Sequence, residues 1–125
     1  MEKELYKKEG FLLIGAAFAV HDETGGGLAE DVYQESFELE LEMRGIPFRS
    51  KQEIAIFYKG RELKKRYIPD RYVYEGVVVE LKAVASLQPE HSAQLLNYMR
   101  LAKMPVGYLI NFAPIDGVEW KRYVL

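Results

Sequence analysis

Two charged side chains sit where a strand leaves little room for charge. The run Val77-Val78-Val79-Glu80-Leu81-Lys82-Ala83-Val84, bounded by Gly76 and Ser86, reads as a strand buried on both sides. Alternation puts Glu80 and Lys82 on one face, roughly 6.6 Å apart along the strand, with Val79, Leu81 and Ala83 on the other. Buried charge has to be paired or bound to a cation. The preceding hairpin supplies a second carboxylate. A three-residue loop, Tyr74-Glu75-Gly76, needs positive φ only at its glycine, whereas a two-residue loop would need it at Glu75. The three-residue loop pairs Val73 with Val77 and Tyr72 with Val78, and therefore sets Asp70 beside Glu80. Asp70, Glu80 and Lys82 then share a face.

Side-by-side carboxylates repel, which raises a pKa or recruits a cation. Mg²⁺ is commonly held by one or two carboxylates with water and phosphate completing its shell. A lysine two residues on can orient or deprotonate a water, or neutralise charge in a transition state. A three-charge ladder with Lys82 between the acids would use the same residues for architecture alone, and the residues weigh the two readings evenly. Farther on, His91, Gln94 and Tyr98 fall on one helical face while Leu95, Leu96, Met99 and Ala102 face the core. Gln94 suits Lys82 or a phosphate, and Tyr98 suits the flank of a nucleic-acid strand. An ordinary amphipathic helix accounts for them equally. Glu30 and Asp31 open another helix, where acids complement the helix dipole, and Glu30 shares a face with Tyr33. His21, just before the glycines, is a ligand type at a helix end.

The elements that must position these groups follow from periodicity. A first helix is expected from about Lys3 to His21, broken by Thr24-Gly25-Gly26-Gly27. A second, with Leu28, Val32, Tyr33 and Phe37 at helical spacing, should end near Gly45-Ile46-Pro47. Strands are expected over Glu53 to Tyr58 and Arg61 to Ile68 around Lys59-Gly60, then Arg71 to Tyr74 and Val77 to Ala83. Pro69 marks a break. A helix from Pro89 to before Pro105, a strand from Val106 to Phe112 and a half-exposed strand from Val118 to Val124 complete the chain. This order predicts one α+β or mixed α/β domain over residues 1–125, built on a small mixed β-sheet flanked by helices.

Composition narrows the classes. At 125 residues, 49% hydrophobic and 29% charged, the chain fits a soluble globular domain with a real core. The absence of cysteine excludes a disulfide scaffold, a zinc–thiolate site and a thiol nucleophile, and suits a reducing compartment. The net charge of -2 hides an acidic stretch (Glu30 to Glu42) followed by a basic one (Arg49 to Arg71), a stripe that suits a phosphate backbone or a solvated face. Phe11 to Val20 is too short to span a bilayer, and Glu2, Glu4 and Glu9 cancel the lysines before it. It reads as a buried amphipathic helix in a cytoplasmic protein.

Taken together, Gly27-x-x-Glu30-x-x-Tyr33, Asp70, Glu80-Leu81-Lys82-Ala83, His91-x-x-Gln94-Leu95-Leu96-Asn97-Tyr98 and Gly107 to Asn111-Phe112 resemble the GxxExxY protein family. That family is a compact branch of the PD-(D/E)xK nuclease superfamily, close to RecB-like nucleases with their Gln-x-x-x-Tyr motif. The likeness runs from about His21 to Phe112, and Asp70 follows a proline as the superfamily name suggests. It implies a restriction-endonuclease-like core in which Asp70, Glu80 and the Leu81 carbonyl bind Mg²⁺ or Mn²⁺ and Lys82 is catalytic. Glu30 would be an additional acidic site residue, with Gln94 and Tyr98 auxiliary. Glu30 and His21 are further candidate ligands.

The function expected is metal-dependent hydrolysis of phosphodiester bonds in nucleic acid, DNA favoured over RNA, with a homodimer or a protein partner left open and no membrane association. A non-catalytic nucleic-acid- or partner-binding module on the same fold is the alternative.

Overall fold

The helical and alternating patterns resolve into three helices and seven strands in a computed structural model that describes residues 5–125. In chain order these are α1 (Lys7–Thr24), α2 (Glu30–Met43), β1 (Phe48–Arg49), β2 (Ile54–Tyr58), β3 (Arg61–Tyr67) and β4 (Arg71–Val73). They continue with β5 (Val77–Lys82), α3 (Pro89–Ala102), β6 (Val106–Asn111) and β7 (Glu119–Val124). A mixed five-stranded sheet has the order β1-β4-β5-β6-β7. β5 and β6 are parallel and joined by the α3 crossover, while the other neighbours are antiparallel. β2 and β3 stand apart as a two-stranded sheet.

The central position of β5 follows from its side chains. Val77, Val79 and Leu81 enter a core closed by α1 and α2, through Leu13, Ala17, Phe37 and Leu41. Val78 enters a second core, closed by Leu95 and Met99 of α3 and by Ile56 and Tyr67 of the separate hairpin. Glu80 and Lys82 stand on the Val78 face, toward α3. The β4–β5 register is as the turn argument expected: Val73 opposes Val77, Tyr72 opposes Val78 and Arg71 opposes Val79.

Several expectations need correction. The glycine of the turn is not its conformational hinge: Tyr74 (φ 52°) and Glu75 (φ 61°) take the left-handed region, and Gly76 does not. A Cβ at Gly76 would lie 2.4 Å from the Tyr6 hydroxyl, so a larger residue there would push the end of that side chain aside. The pairing β1–β4 was not anticipated, because two residues carry no readable alternation. In α2 the buried stripe is Tyr33, Phe37 and Leu41, while Leu28 and Val32 are exposed. The expected start of α1 at Lys3 lies outside the described residues. The Phe11 to Val20 run is not wholly buried either: Leu13, Ile14, Ala17 and Val20 face inward, while Phe11, Leu12 and Phe18 face out. Among the described residues no helix is long and apolar enough to cross a membrane.

Candidate active site

The site lies where β4 begins and β5 nears its end. The β4–β5 ladder stops at Arg71 and Val79, so one residue farther Asp70 and Glu80 meet through side chains. The Asp70 amide donates to Glu80 Oε1 at 3.0 Å. The Leu81 amide donates to Asp70 Oδ2 at 2.7 Å. Each carboxylate thus takes over a bond that the ladder would have made. A residue in an extended strand directs its N–H and C=O to the same side, so the Leu81 carbonyl also points toward the Asp70 edge.

Tyr67, at the end of β3, donates its hydroxyl to Glu80 Oε2 at 3.0 Å. The Tyr67 ring stacks on Tyr98 of α3, with centroids 4.5 Å apart and planes 9° from parallel. Burial, then the neighbouring Asp70 carboxylate, push the Glu80 carboxyl up to about 7. Burial also raises the Tyr67 hydroxyl, and Glu80 beside it raises it further. That hydroxyl therefore remains a proton donor to Glu80 across the useful pH range.

Arg71 fixes the other side of Asp70. Its guanidinium is buried and donates to the Asp70 carbonyl at 2.6 Å, to the Gln34 side chain at 3.1 Å and to the Gln34 carbonyl at 2.8 Å. It also pairs with Glu38 at 2.8 Å. The start of β4 is thereby held to α2. Lys82 is half-buried, and among the described residues its side chain forms no ion pair or hydrogen bond. The three-charge ladder does not form. Its backbone, by contrast, is held: the Lys82 carbonyl accepts from the Phe112 amide at 3.0 Å. Two residues on, fully buried Asn111 clamps Val84 by both its amide and its carbonyl, at 3.0 and 2.9 Å.

The remaining sequence candidates divide. Glu80, Gln94 and Tyr98 line one cleft of about 200 Å³ with Lys65, Arg66, Tyr67 and Ile68. Asp70 lines the adjoining cleft with Lys51 and Arg71, and Ile68 borders both. Glu30 is exposed at the start of α2 and reaches Asp70 only by relay: Gln34 donates to Glu30 at 3.4 Å, and Arg71 links Gln34 to the Asp70 carbonyl. Tyr33 is fully buried against Phe112, and its hydroxyl donates to the Gly25 carbonyl at 2.7 Å while accepting from the Leu28 amide. It therefore ties the glycine loop rather than facing the acids. His21 Nε2 donates to the Pro114 carbonyl at 2.7 Å, so the histidine expected as a further ligand serves as a loop clamp. His91 Nδ1 accepts from the Gln88 amide at 3.0 Å and caps α3.

Tyr67 and Arg71 were missed. Tyr67 is the last residue of a basic strand and reads as a core aromatic, and Arg71 reads as one more member of the basic run. The only sequence signal was position, since both lie within three residues of Asp70.

The donor chemistry suits a hard cation. Among the described residues no cluster of three or more His, Cys, Asp or Glu side chains forms, and the adjacent Asp70 and Glu80 offer oxygen donors alone. Burial first, and the Asp70 charge second, oppose ionisation of Glu80, a cost that a divalent cation would offset.

A mixed sheet with paired acids and a lysine at the end of its central strand defines a nuclease-type core. The family model for the PD-(D/E)XK nuclease superfamily matches residues 7–123, and the chain belongs to that superfamily. Its fold is the restriction-endonuclease-like α/β core. Two solved structures share it: SSO0001 (TM-score 0.58, 21% identity, 75% of this chain and 48% of that one), and an alkaline exonuclease from Laribacter hongkongensis (TM-score 0.52, 13% identity, 75% and 55%). The chain spans about half the length of each. The comparison with curated proteins gives no significant match.

Proposed function

We propose that the chain is a metal-dependent nuclease of the GxxExxY type, in the RecB-like branch of its superfamily, acting on DNA. The observation that carries this reading is the Asp70–Glu80 pair, with Glu80 pushed up to about 7 and a lysine on the same face engaged by neither acid. A structural ion pair would have recruited Lys82. Asp70, Glu80 and the Leu81 carbonyl would hold Mg²⁺ or Mn²⁺, which supplies Lewis-acid charge beside a phosphodiester. Lys82 orients the attacking water and meets charge building on the phosphate. Gln94 and Tyr98 wall the cleft on the α3 side, and Lys65 and Arg66 offer it positive charge. Glu30 acts on the site through Gln34 and Arg71, as a positioning residue.

The test is cleavage of single-stranded, double-stranded and branched DNA, with RNA alongside, in Mg²⁺ or Mn²⁺. Lys82→Ala should lose at least about 100-fold in rate while melting within a few degrees of the parent. Asp70→Ala and Glu80→Ala should in addition lose the thermal stabilisation that the cation gives the parent. A parent protein that shows no cation-induced shift and cuts none of these substrates would leave a binding module without chemistry.

A further inference from the structure

A wide apolar opening lies on the other face of the sheet from the acids. It is a groove of about 520 Å³ between α1 and β7, lined chiefly by Phe11, Ile14, Gly15, Phe18, Tyr108 and Trp120. Phe11 is 79% exposed, and Phe18 and Trp120 more than 40%. Large aromatics left in water in one contiguous patch mark a surface that another surface covers. We infer that this face is the contact between two copies of the chain, with α1 packed antiparallel on α1 of the second copy across a two-fold axis.

The ordering of residues along α1 carries the inference. Lys7, Phe11, Gly15, Phe18 and Asp22 fall on one stripe at spacings of three and four. A two-fold axis passing between Ile14 and Gly15 sets Phe11 of one copy against Phe18 of the other, with the two Gly15 residues beside the axis. It also sets Lys7 against Asp22, which is exposed at the far end of the helix. The stripe is self-complementary in both charge and size, as an isologous interface requires. Gly15 provides the hole: a Cβ there would meet only Arg44, 3.6 Å away, so the surface dips beside two protruding phenylalanines. Antiparallel packing also sets the N-terminus of each α1 beside the C-terminus of the other, a favourable arrangement of their dipoles.

One consequence is architectural. Tyr108 enters the core under α1 and α2, whereas Glu80 faces α3, so the dimer carries its two acidic clefts outward. Each cleft then takes its own substrate, and dimer formation is separable from cation binding.

The experiment is sedimentation equilibrium of the purified chain over a range of concentrations, with circular dichroism and cation-induced melting as controls. The parent should approach twice the 14.5 kDa chain mass. Phe11→Glu should be monomeric, since the exposed Phe11 ring leaves the fold little to lose. Lys7→Glu and Asp22→Lys should each weaken the dimer at least about 10-fold, and the double reversal should restore it. All variants should keep the parent's dichroism and cation shift. A parent that stays monomeric, a dimer that survives Phe11→Glu (as pairing through the open β7 edge would), or a double reversal that restores nothing overturns the inference.

Discussion

Glu80 is held in two incompatible ways. Tyr67 and the Asp70 amide donate to its oxygens and favour the carboxylate, while burial and the Asp70 charge oppose it, and the opposition prevails. The folded-state pKa, about 7, stands above the ordinary carboxyl value of 4.5, so the proton is held more tightly in the folded chain. The sign follows from linkage: this contribution to stability is fully present below pH 4.5 and is lost as pH rises through 7. Without divalent cations the domain should therefore lose roughly 2–3 kcal/mol across that window, measured by chemical denaturation at several pH values. Cation binding should show the opposite trend, since the cation needs the ionised pair. The melting shift given by Mg²⁺ should grow as pH rises toward and past 7. Tyr67→Phe removes a donor that favours the carboxylate, and should move the midpoint of that growth to higher pH. A flat pH profile in both measurements would mean that Glu80 is not the group that the cation displaces a proton from.

At the level of elements, the hairpin β4–β5 shows why register can be read and conformation cannot. Register follows from which residues must be buried: a slip of one would have turned Val79 and Leu81 to the charged face. The turn itself depends on what packs over it. Tyr6 lies against Gly76, so the glycine is spent on clearance, and Tyr74 and Glu75 bear the left-handed φ. Gly76→Ala should cost at most about 1 kcal/mol, because the clash is with the ring end of Tyr6, a side chain that can swing aside. In a double-mutant cycle with Tyr6→Ala, much of that cost should vanish; a purely conformational cost would leave the two changes additive. The same logic divides the site. The register that brings Asp70 beside Glu80, and the face that Glu80 shares with Lys82, were legible because alternation and loop length are local. Tyr67 and Arg71 were not, because their partners come from β5 and from Gln34 and Glu38 of α2, distant in sequence. The helix α1 failed differently: an apolar run shows that a helix is buried somewhere, but not which phenylalanines look outward. β1 exists only because β4 offers it an edge.

Across the whole molecule, charge is sorted by element rather than balanced in place, and the sorting bears on the substrate. The net charge of -2 predicts no attraction for nucleic acid. Yet β3 reads Arg61-Glu62-Leu63-Lys64-Lys65-Arg66, and its pairing with β2 slips between Ala55 and Phe57. On β2 only Ile56 lies between those two positions, while on β3 Leu63, Lys64 and Lys65 lie between their partners. The bulge thus carries the two lysines out of the ladder. Bulges commonly re-aim side chains beside active sites, and here Lys65 lines the cleft that holds Glu80. Lysines on an open edge also keep strands from pairing with other chains, which alone would justify them. The two roles differ in their dependence on salt. If Lys64 and Lys65 grip phosphates, replacing both with Ala should weaken substrate binding and reduce the slope of log affinity against log salt by about 1–2. The melting temperature should stay as in the parent, since both side chains are exposed and neither bonds Asp70 or Glu80. Fluorescence anisotropy with a labelled single strand, in Ca²⁺ to hold cleavage back, reads both quantities. An unchanged salt slope together with a new tendency to aggregate would assign these lysines to guarding the strand edge, and would leave the phosphate backbone to be held elsewhere along the cleft.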